Sequence, residues 1–461
     1  MDEESAKHGV TAGGDTIFAL SSGQGRAGVA VIRVSGPASG EVLDRMVRSK
    51  LRPRRATLRR IMHSESGEVL DHGLVLRLPG PATFTGEDMV EFQVHGGLAV
   101  ITAILDSIGQ VAGTRPAERG EFTRRAFENG RLDLTSVEGV ADLTNARTEM
   151  QRRQALRQMC GVLGTLYEGW RRQLIAMMAE IEAEIDFPDE GDIPADLSAG
   201  IALHAERMSA AIRAHMDDER CGERLRQGLY VVLAGRANVG KSSLLNRLSR
   251  RDVAIVTEQA GTTRDVLEVH LDLEGYPLIL ADTAGLREAT RDIVEREGMM
   301  RTESCLRKAD ITMWVTSPDD RTIPENAPHP LVDSSALWVL NKVDLIKDDN
   351  FAIAGAPLGA ETIGVSALTG EGLDRLTASL TDRAKAFLGK GEDVIMTQSR
   401  HRAALRECLN HLDRVRPALA LGPEMAAEDL RRAARALGRI VGRVDVDDLL
   451  DVIFRDFCVG K

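Results

Sequence analysis

The period of apolar and polar positions changes along the chain, and the changes divide it into successive stretches. From about Asp15 to Glu128 the signal is mixed. Gly28–Val34 and Gly73–Pro79 are β-branched or leucine-rich runs, and Met89–His95 alternates apolar with polar, the mark of a half-buried strand. Gly96 and Gly97 end that run, and Leu98–Ile108 has the spacing of an amphipathic helix. From about Arg131 to Arg226 the spacing is helical, as in Leu132, Val137, Val140 and Leu143. One long helix is predicted over Thr148–Ile185, weakened by Gly161, Gly164 and Gly169, and a second over Leu197–Leu225. The acidic segment from Asp186 to Pro194 carries two prolines that stop the first of these. From Gly228 to about Gly389, strands alternate with helices: Leu229–Ala234, Val266–Leu271, Pro277–Ala281, Asp310–Val315, Ala336–Leu340 and Thr362–Val365, the last leading to a helix from about Gly370. That is the doubly wound α/β pattern. Helical spacing returns from about Met396, through arginine-rich Arg431–Val441 and the apolar, acidic Val446–Phe454.

These periods predict a multidomain chain: a tail over 1–14, an α/β domain over 15–130, and one helical domain built from 131–226 and 390–461. An α/β nucleotide domain, 227–389, is inserted into the helical one, as neighbouring chain ends permit. The 461 residues suffice for three domains, and 28% charged with 43% hydrophobic residues is a globular composition. Nothing resembles a membrane span or a secretion signal. Five cysteines without C-x-x-C spacing argue against a zinc site or disulfide framework and point to the reduced cytoplasm. The acids between Asp186 and Asp192 lack Ca²⁺-loop spacing and read as a solvated helix–helix turn. A net charge of −11 is not the footprint of a general nucleic-acid binder. The basic run Arg48–Arg60 reads first as a solvated face, with local RNA contact as the other reading.

The candidate chemistry starts at Gly235-Arg236-Ala237-Asn238-Val239-Gly240-Lys241-Ser242, a G-x-x-x-x-G-K-S phosphate loop between a strand and the helix opened by Ser243. Its glycines let backbone N–H groups approach phosphate oxygens, and the helix N-terminus adds positive partial charge. Lys241 supplies charge to the β- and γ-phosphates, and Ser242 a hydroxyl to Mg²⁺. Further motifs follow in order. Thr257-Glu258-Gln259-Ala260-Gly261-Thr262-Thr263-Arg264-Asp265 fits a switch segment in which Thr263 is the second Mg²⁺ hydroxyl. Asp282-Thr283-Ala284-Gly285 ends a strand, with Asp282 placed to organise Mg²⁺ and Gly285 to offer an N–H to the γ-phosphate. In Asn341-Lys342-Val343-Asp344 the aspartate accepts from guanine N1–H and the exocyclic amine, a pattern adenine does not offer. Ser366-Ala367 suits an N–H aimed at guanine O6. Four such motifs in order, each at a strand end, define a GTP site.

Leu286 follows the D-T-A-G motif, where Ras-like proteins place a water-orienting glutamine, and leucine cannot hydrogen-bond. No arginine finger is evident. Such a finger is worth about 10³ to 10⁵ in rate, roughly 4–7 kcal/mol. Asn238 offers a side-chain oxygen for a monovalent cation beside the phosphates. Glu288, Asp292, Glu295 and Glu297 are each candidates to polarise water, and the residues alone do not choose among them.

Outside the GTP motifs the chain resembles the MnmE (TrmE) family of tRNA-modification GTPases from about Asp15 to Lys461. The resemblance rests on Gly28–Gly36, Phe84-Thr85-Gly86-Glu87-Asp88, His95-Gly96-Gly97, Arg119–Thr123, Asn129–Leu134, Ile185–Pro188, Gly442-Arg443-Val444 and the C-terminal Phe457-Cys458-Val459-Gly460-Lys461. An Era- or Der-type ribosome-assembly GTPase, acting as an RNA-binding switch, shares only the nucleotide domain. The resemblance implies a homodimer whose Ras-like G domains meet across a cleft, with K⁺ in place of an arginine finger. Asn238 and Thr262 then fall on side-chain K⁺ ligands, Thr257 and Gln259 line the same loop, and Glu295 falls on the catalytic glutamate. It also implies a tetrahydrofolate-binding-like N-terminal domain that takes 5-formyl-tetrahydrofolate or a related one-carbon folate, with Arg33, Glu87, Arg131 and Lys461 on its contacts. Arg131 stands where many members carry lysine. The implied partners are tRNA and the flavin enzyme MnmG (GidA), in a heterotetramer that modifies C5 of the wobble uridine. Cys458 is the one cysteine in a family signature, and a buried hydrophobe and a catalytic thiol are both open readings.

Overall fold

The computed structural model describes residues 14–23, 25–186, 197–217, 220–250, 254–255, 267–282, 307–320, 336–346, 362–389, 396–444, 450, 453–454 and 457–461. Two compact units emerge: Met1–Ala141 with Gln158–Arg172 and Leu437–Lys461, and Asp142–Arg157 with Gln173–Ala436.

The first unit contains β1 (Thr16–Leu20), β2 (Ala27–Ser35), α1 (Ser39–Val47), β3 (Thr57–Met62), β4 (Val69–Leu78), β5 (Met89–Gly96), α2 (Leu98–Gly109), β6 (Thr114–Pro116), α3 (Glu121–Glu128) and α4 (Leu134–Asn145), which runs past its boundary. The six strands form one sheet in the order β3-β4-β5-β2-β1-β6. All neighbours are antiparallel except β1 and β6. Register explains the alternation: Ile32 faces Phe92 and Val34 faces Val90 across β2 and β5, and Val75 of β4 also pairs with Phe92. These side chains share one face, covered by Val42, Leu43 and Met46 of α1 and Ile101, Ile104 and Ile108 of α2.

Three strands of this sheet escape sequence reading, the three-residue β6 among them. β1 is a short, nearly continuous buried run, TIFAL, without alternation. β3 lies in the basic run, where Arg59 and Arg60 hide a strand whose one buried residue is Ile61. The C-terminal tail also belongs here. Phe454 and Phe457 pack with Leu134 and Val137, and Val459 bridges to Arg119. Gly460 has φ +94, and a Cβ there would lie 2.1 Å from the Leu20 carbonyl, so this close approach requires glycine.

The second unit contains α5 (Glu149–Met159), the later part of α6 (Val162–Asp186), α7 (Leu197–Met216), α8 (Cys221–Gln227), β7 (Leu229–Ala234), α9 (Lys241–Ser249), β8 (Ala254–Ile255), β9 (Leu267–Leu273), β10 (Tyr276–Asp282), β11 (Ile311–Thr316), β12 (Leu337–Leu340), β13 (Thr362–Gly364), α10 (Leu373–Leu388), α11 (Ser399–Leu419) and most of α12 (Pro423–Val441). Strand order is β13-β12-β11-β7-β10-β9-β8. The five strands from β13 to β10 are parallel, and β9 and β8 add antiparallel pairs at the opposite edge. β7 lies between β10 and β11, so the order reverses there and ligands are expected beyond the carboxyl ends of these strands.

Two predicted helices are each divided. The Thr148–Ile185 helix breaks at Gly161, where φ is +82, and the Leu197–Leu225 helix breaks before Arg220, where φ is +61. A left-handed residue cannot continue an α-helix. The acidic segment after Asp186 lies outside the described residues.

Phe92 is fully buried at the centre of the first unit's sheet. Phe92→Ala is expected to destabilise that unit by about 3–5 kcal/mol. Urea denaturation followed by hydrogen exchange in β2 and β5 measures the loss, and exchange equal to the parent's would refute the packing argument.

Candidate functional site

The phosphate loop is shaped by what surrounds it. Gly235 has φ +143, and a Cβ there would sit 2.2 Å from the Val315 carbonyl of β11; one on Gly240, φ +92, would sit 2.3 Å from Asn341 Nδ2. Both positions therefore exclude side chains. Nearly every carbonyl of the loop is held by a side-chain donor. Lys241 Nζ donates to the carbonyls of Gly235 (2.9 Å) and Arg236 (2.8 Å), Lys342 Nζ to that of Asn238 (2.8 Å), and Asn341 Nδ2 to that of Val239 (2.9 Å). In a trans peptide, N–H points opposite to C=O. Each of these bonds therefore fixes a peptide plane of the loop, and with it the N–H on the opposite side of that plane. Asn238 takes a left-handed conformation, φ +64, with its side chain exposed.

Ser242 and Asp282 come together. Ser242 Oγ donates to Asp282 Oδ2 at 2.5 Å, and Asp282 is buried at the end of β10. A hydroxyl beside a carboxylate is a donor set of hard oxygens that fits Mg²⁺. Ser243 follows Ser242 on the exposed side of α9. On the base side, Asn341 Oδ1 accepts from the Ala367 amide at 3.1 Å, and Ser366 Oγ donates to Asp344 Oδ1 at 2.5 Å. One oxygen of Asp344 is so oriented by a fully buried serine. Thr257, Glu258, Gln259, Ala260, Gly261, Thr262, Thr263, Thr283, Ala284, Gly285, Leu286 and Glu295 lie outside the described residues. Sequence reasoning missed the framework role of Asn341 and Lys342, whose motif signals base recognition but not their grip on the loop.

A second constellation lies in the first unit. Arg33 on β2 donates to Glu91 at 3.0 Å, with its guanidinium 5.5 Å from the Phe84 ring centroid and 5.7 Å from that of Phe122. Glu87 accepts from Ser35 Oγ at 2.7 Å and from Arg125 Nη1 at 3.2 Å. Arg125 also bonds Asp15 and Glu121, and Arg115 bonds the same two acids. The Arg115 guanidinium beside Asp15 holds that carboxyl below its usual range. Burial raises Glu121, but bonds from Arg115, the Glu118 amide and Arg125 outweigh it and leave it lowered. Burial alone would lower Arg125, yet Glu87 and Glu121 keep it raised. The stem of Arg131 lies over Gly86, whose added Cβ would be 3.4 Å from Arg131 Cγ. Ser21 Oγ donates to the Gly460 carbonyl at 2.8 Å, which fixes Lys461 beside the end of β1, and β1 pairs Ala19 with Arg33. Arg33 and Glu87 thus sit in one cradle with Phe84 and Phe122, and Lys461 is tied to the strand beside it. Cys458 is exposed, against the reading of it as a buried hydrophobe. Arg125, which links Glu87 to the acids, was not singled out from the sequence.

The strand–loop–helix at the sheet's switch point, with the Asn341–Asp344 segment at the end of β12, has the form of a P-loop GTPase. The model for "GTP-binding protein TrmE N-terminus" matches residues 16–131, and that for "MnmE helical domain" matches 134–458. A "tRNA modification GTPase MnmE" of Parvibaculum lavamentivorans is 52% identical over 450 residues, covering 97% of this chain and 100% of that protein. One from Methylorubrum populi is 51% identical over 449 residues, covering 97% and 98%. The "5-taurinomethyluridine-[tRNA] synthase subunit GTPB3, mitochondrial" of Danio rerio is 45% identical over 474 residues, covering 97% and 94%. The chain belongs to the MnmE family of tRNA modification GTPases.

Asp344→Asn replaces an acceptor with a donor toward the guanine N1–H and amine. One charge-assisted hydrogen bond, worth about 1.5–3 kcal/mol, is lost, and the one that the remaining oxygen can accept is no longer charge-assisted. GDP affinity should fall by roughly 10² or more. Titration calorimetry reads this, and an unchanged affinity would remove Asp344 from the base site.

Proposed function

We propose that this GTPase drives the modification of C5 of the tRNA wobble uridine to carboxymethylaminomethyl- or aminomethyl-uridine, together with an MnmG-type partner, in the cytoplasm. The observation that carries the reading is that one chain holds both an organised guanine-nucleotide site and the Arg33–Glu87 cradle, with its carboxyl terminus bound beside that cradle. An Era- or Der-type reading gives the cradle and the tail no task. The domain plan belongs to the same proposal: 15–130 for folate and dimerisation, 131–226 with 390–461 as the helical domain, and 227–389 as the G domain.

In the nucleotide site, the loop amides and Lys241 receive the phosphates, Ser242 and Thr263 hold Mg²⁺, and Asp344 with the Ala367 amide reads the base. Where Leu286 leaves water without a side-chain partner, Glu295 orients and polarises it. Asn238, Thr257, Gln259 and Thr262 hold K⁺, which supplies the positive charge that an arginine finger would bring. In the cradle, Arg33, Glu87, Arg131 and Lys461 bind 5-formyl-tetrahydrofolate or a related one-carbon folate. The donor set supports the fit: cations for the folate carboxylates, a carboxylate for its pterin N–H groups, and the partly exposed Phe84 ring beside Arg33 for a planar ligand. The working assembly is a homodimer that joins its partner as a heterotetramer. Among the described residues no helix is long and apolar enough to cross a membrane.

GTP hydrolysis in K⁺ buffer should exceed that in Na⁺ buffer at equal ionic strength by about tenfold or more. Equal rates would sink the cation role. Glu295→Ala should bind GTP normally and turn over about 10² to 10⁴ more slowly. Formyl-tetrahydrofolate should bind the parent protein, and Arg33→Ala should weaken it about tenfold or more. Absence of binding by the parent would count against the one-carbon reading.

A further inference from the structure

Between Arg48 and Arg60 the chain carries seven cations and no acid, against a net charge of −11 overall. The structure places them on one side of the first unit. Arg48 ends α1, Lys50, Arg52, Arg54 and Arg55 lie on the following loop, and Arg60 is on β3, the edge strand of the sheet. All six are exposed. Elsewhere arginines are commonly paired with acids, as Arg33, Arg115, Arg125, Arg213 and Arg402 are. Among the described residues no carboxylate pairs with any of these seven.

The loop has a fixed shape. Arg54 sits at φ +59, a conformation a bulky residue rarely adopts. Its amide donates to the Arg77 carbonyl at 2.8 Å, and its guanidinium to the carbonyls of Pro79 (3.2 Å) and Ala82 (2.5 Å). The basic loop is thereby tied to the 79–88 segment that also carries Phe84 and Glu87. Protection of a sheet edge accounts for a cation or two on β3, not for a loop of unpaired ones. At physiological salt the Debye length is about 8 Å, so an approaching polyanion meets the local charge rather than the net charge of the molecule.

We propose that Arg48–Arg60 is a phosphate-backbone docking surface for structured RNA, set beside the cradle by the Arg54 contacts to Pro79 and Ala82. The surface contacts phosphates and carries no base readout, so it gives affinity and orientation rather than sequence choice. It rests on the tRNA reading above and adds where the RNA lies.

The test uses the full chain and unfractionated tRNA, with binding measured by fluorescence anisotropy from about 50 to 200 mM salt. The triple variant Arg52→Ser, Arg55→Ser, Arg60→Ser leaves Arg54 and its carbonyl bonds intact. Its affinity should fall about tenfold or more at low salt, and its log–log salt slope should become shallower by about 2–3. The corresponding triple lysine variant should retain the slope, and formyl-tetrahydrofolate affinity and GTP turnover should stay at parental values in both. A serine variant that binds tRNA with the parental affinity and slope overturns the surface while leaving the tRNA reading intact. A parent that binds no tRNA overturns both. Loss of folate affinity in the serine variant assigns the run to the fold of the cradle and also overturns the proposal.

Discussion

The side-chain amide of Asn341 joins the two halves of the nucleotide site. Its nitrogen donates to the carbonyl of Val239 in the phosphate loop, and its oxygen accepts from the Ala367 amide on the base side. The residue is buried, so both bonds are shielded from water and their loss would leave polar atoms unsatisfied. Gly240 must be glycine because that amide occupies the place of its Cβ. Lys342, next in sequence, grips the Asn238 carbonyl from the same strand end. The 235–242 loop and the 366–367 segment are therefore linked through the two residues that follow β12, and the backbone at Asn238 is held by the same link.

The first unit solves a different problem. Its cradle concentrates Asp15, Glu87, Glu121, Arg115 and Arg125 in a half-buried network, where each charge is tolerable because its neighbours are opposite in sign. Such a network costs desolvation but fixes geometry. Arg125 positions Glu87, while Arg33 is held by Glu91 between two rings. The C-terminal tail is drawn in by Phe454 and Phe457 and completed by Gly460, so the last residue of the chain is held by packing more than three hundred residues away in sequence.

Much of this was legible in the residues, and the gaps have physical causes. The parallel strands of the G domain announced themselves because fully buried parallel strands are continuous apolar runs, as β7 and β11 are, whereas the two-residue edge strand β8 did not. The phosphate loop, Asp282 and Asp344 were legible because their chemistry demands particular residues at strand ends. β1 and β3 were not, since one lacks alternation and the other hides it under arginines. The breaks at Gly161 and Arg220 were also obscure: three glycines lay in the first helix and only tertiary context decides which turns left-handed. The cradle's Arg125 carried no signal at all, because an arginine on a helix reads as solvated until its partners from distant strands are known.

Pairing, rather than count, is what gives the arginines of this chain their different uses. An arginine locked to carboxylates, such as Arg125 or Arg402, has spent its hydrogen-bonding fork on structure. One without an acid keeps its charge uncompensated for a ligand, even where, as in Arg54, the guanidinium also grips backbone carbonyls. Net charge averages the two kinds together, which is why −11 says little about polyanion contact. The distance over which charges add in salt water is shorter than a domain. The consequence for an acidic enzyme is that RNA is repelled from most of its surface and accepted where unpaired cations cluster. Such a molecule gains orientation from the contrast, since only one approach lowers the energy of the encounter.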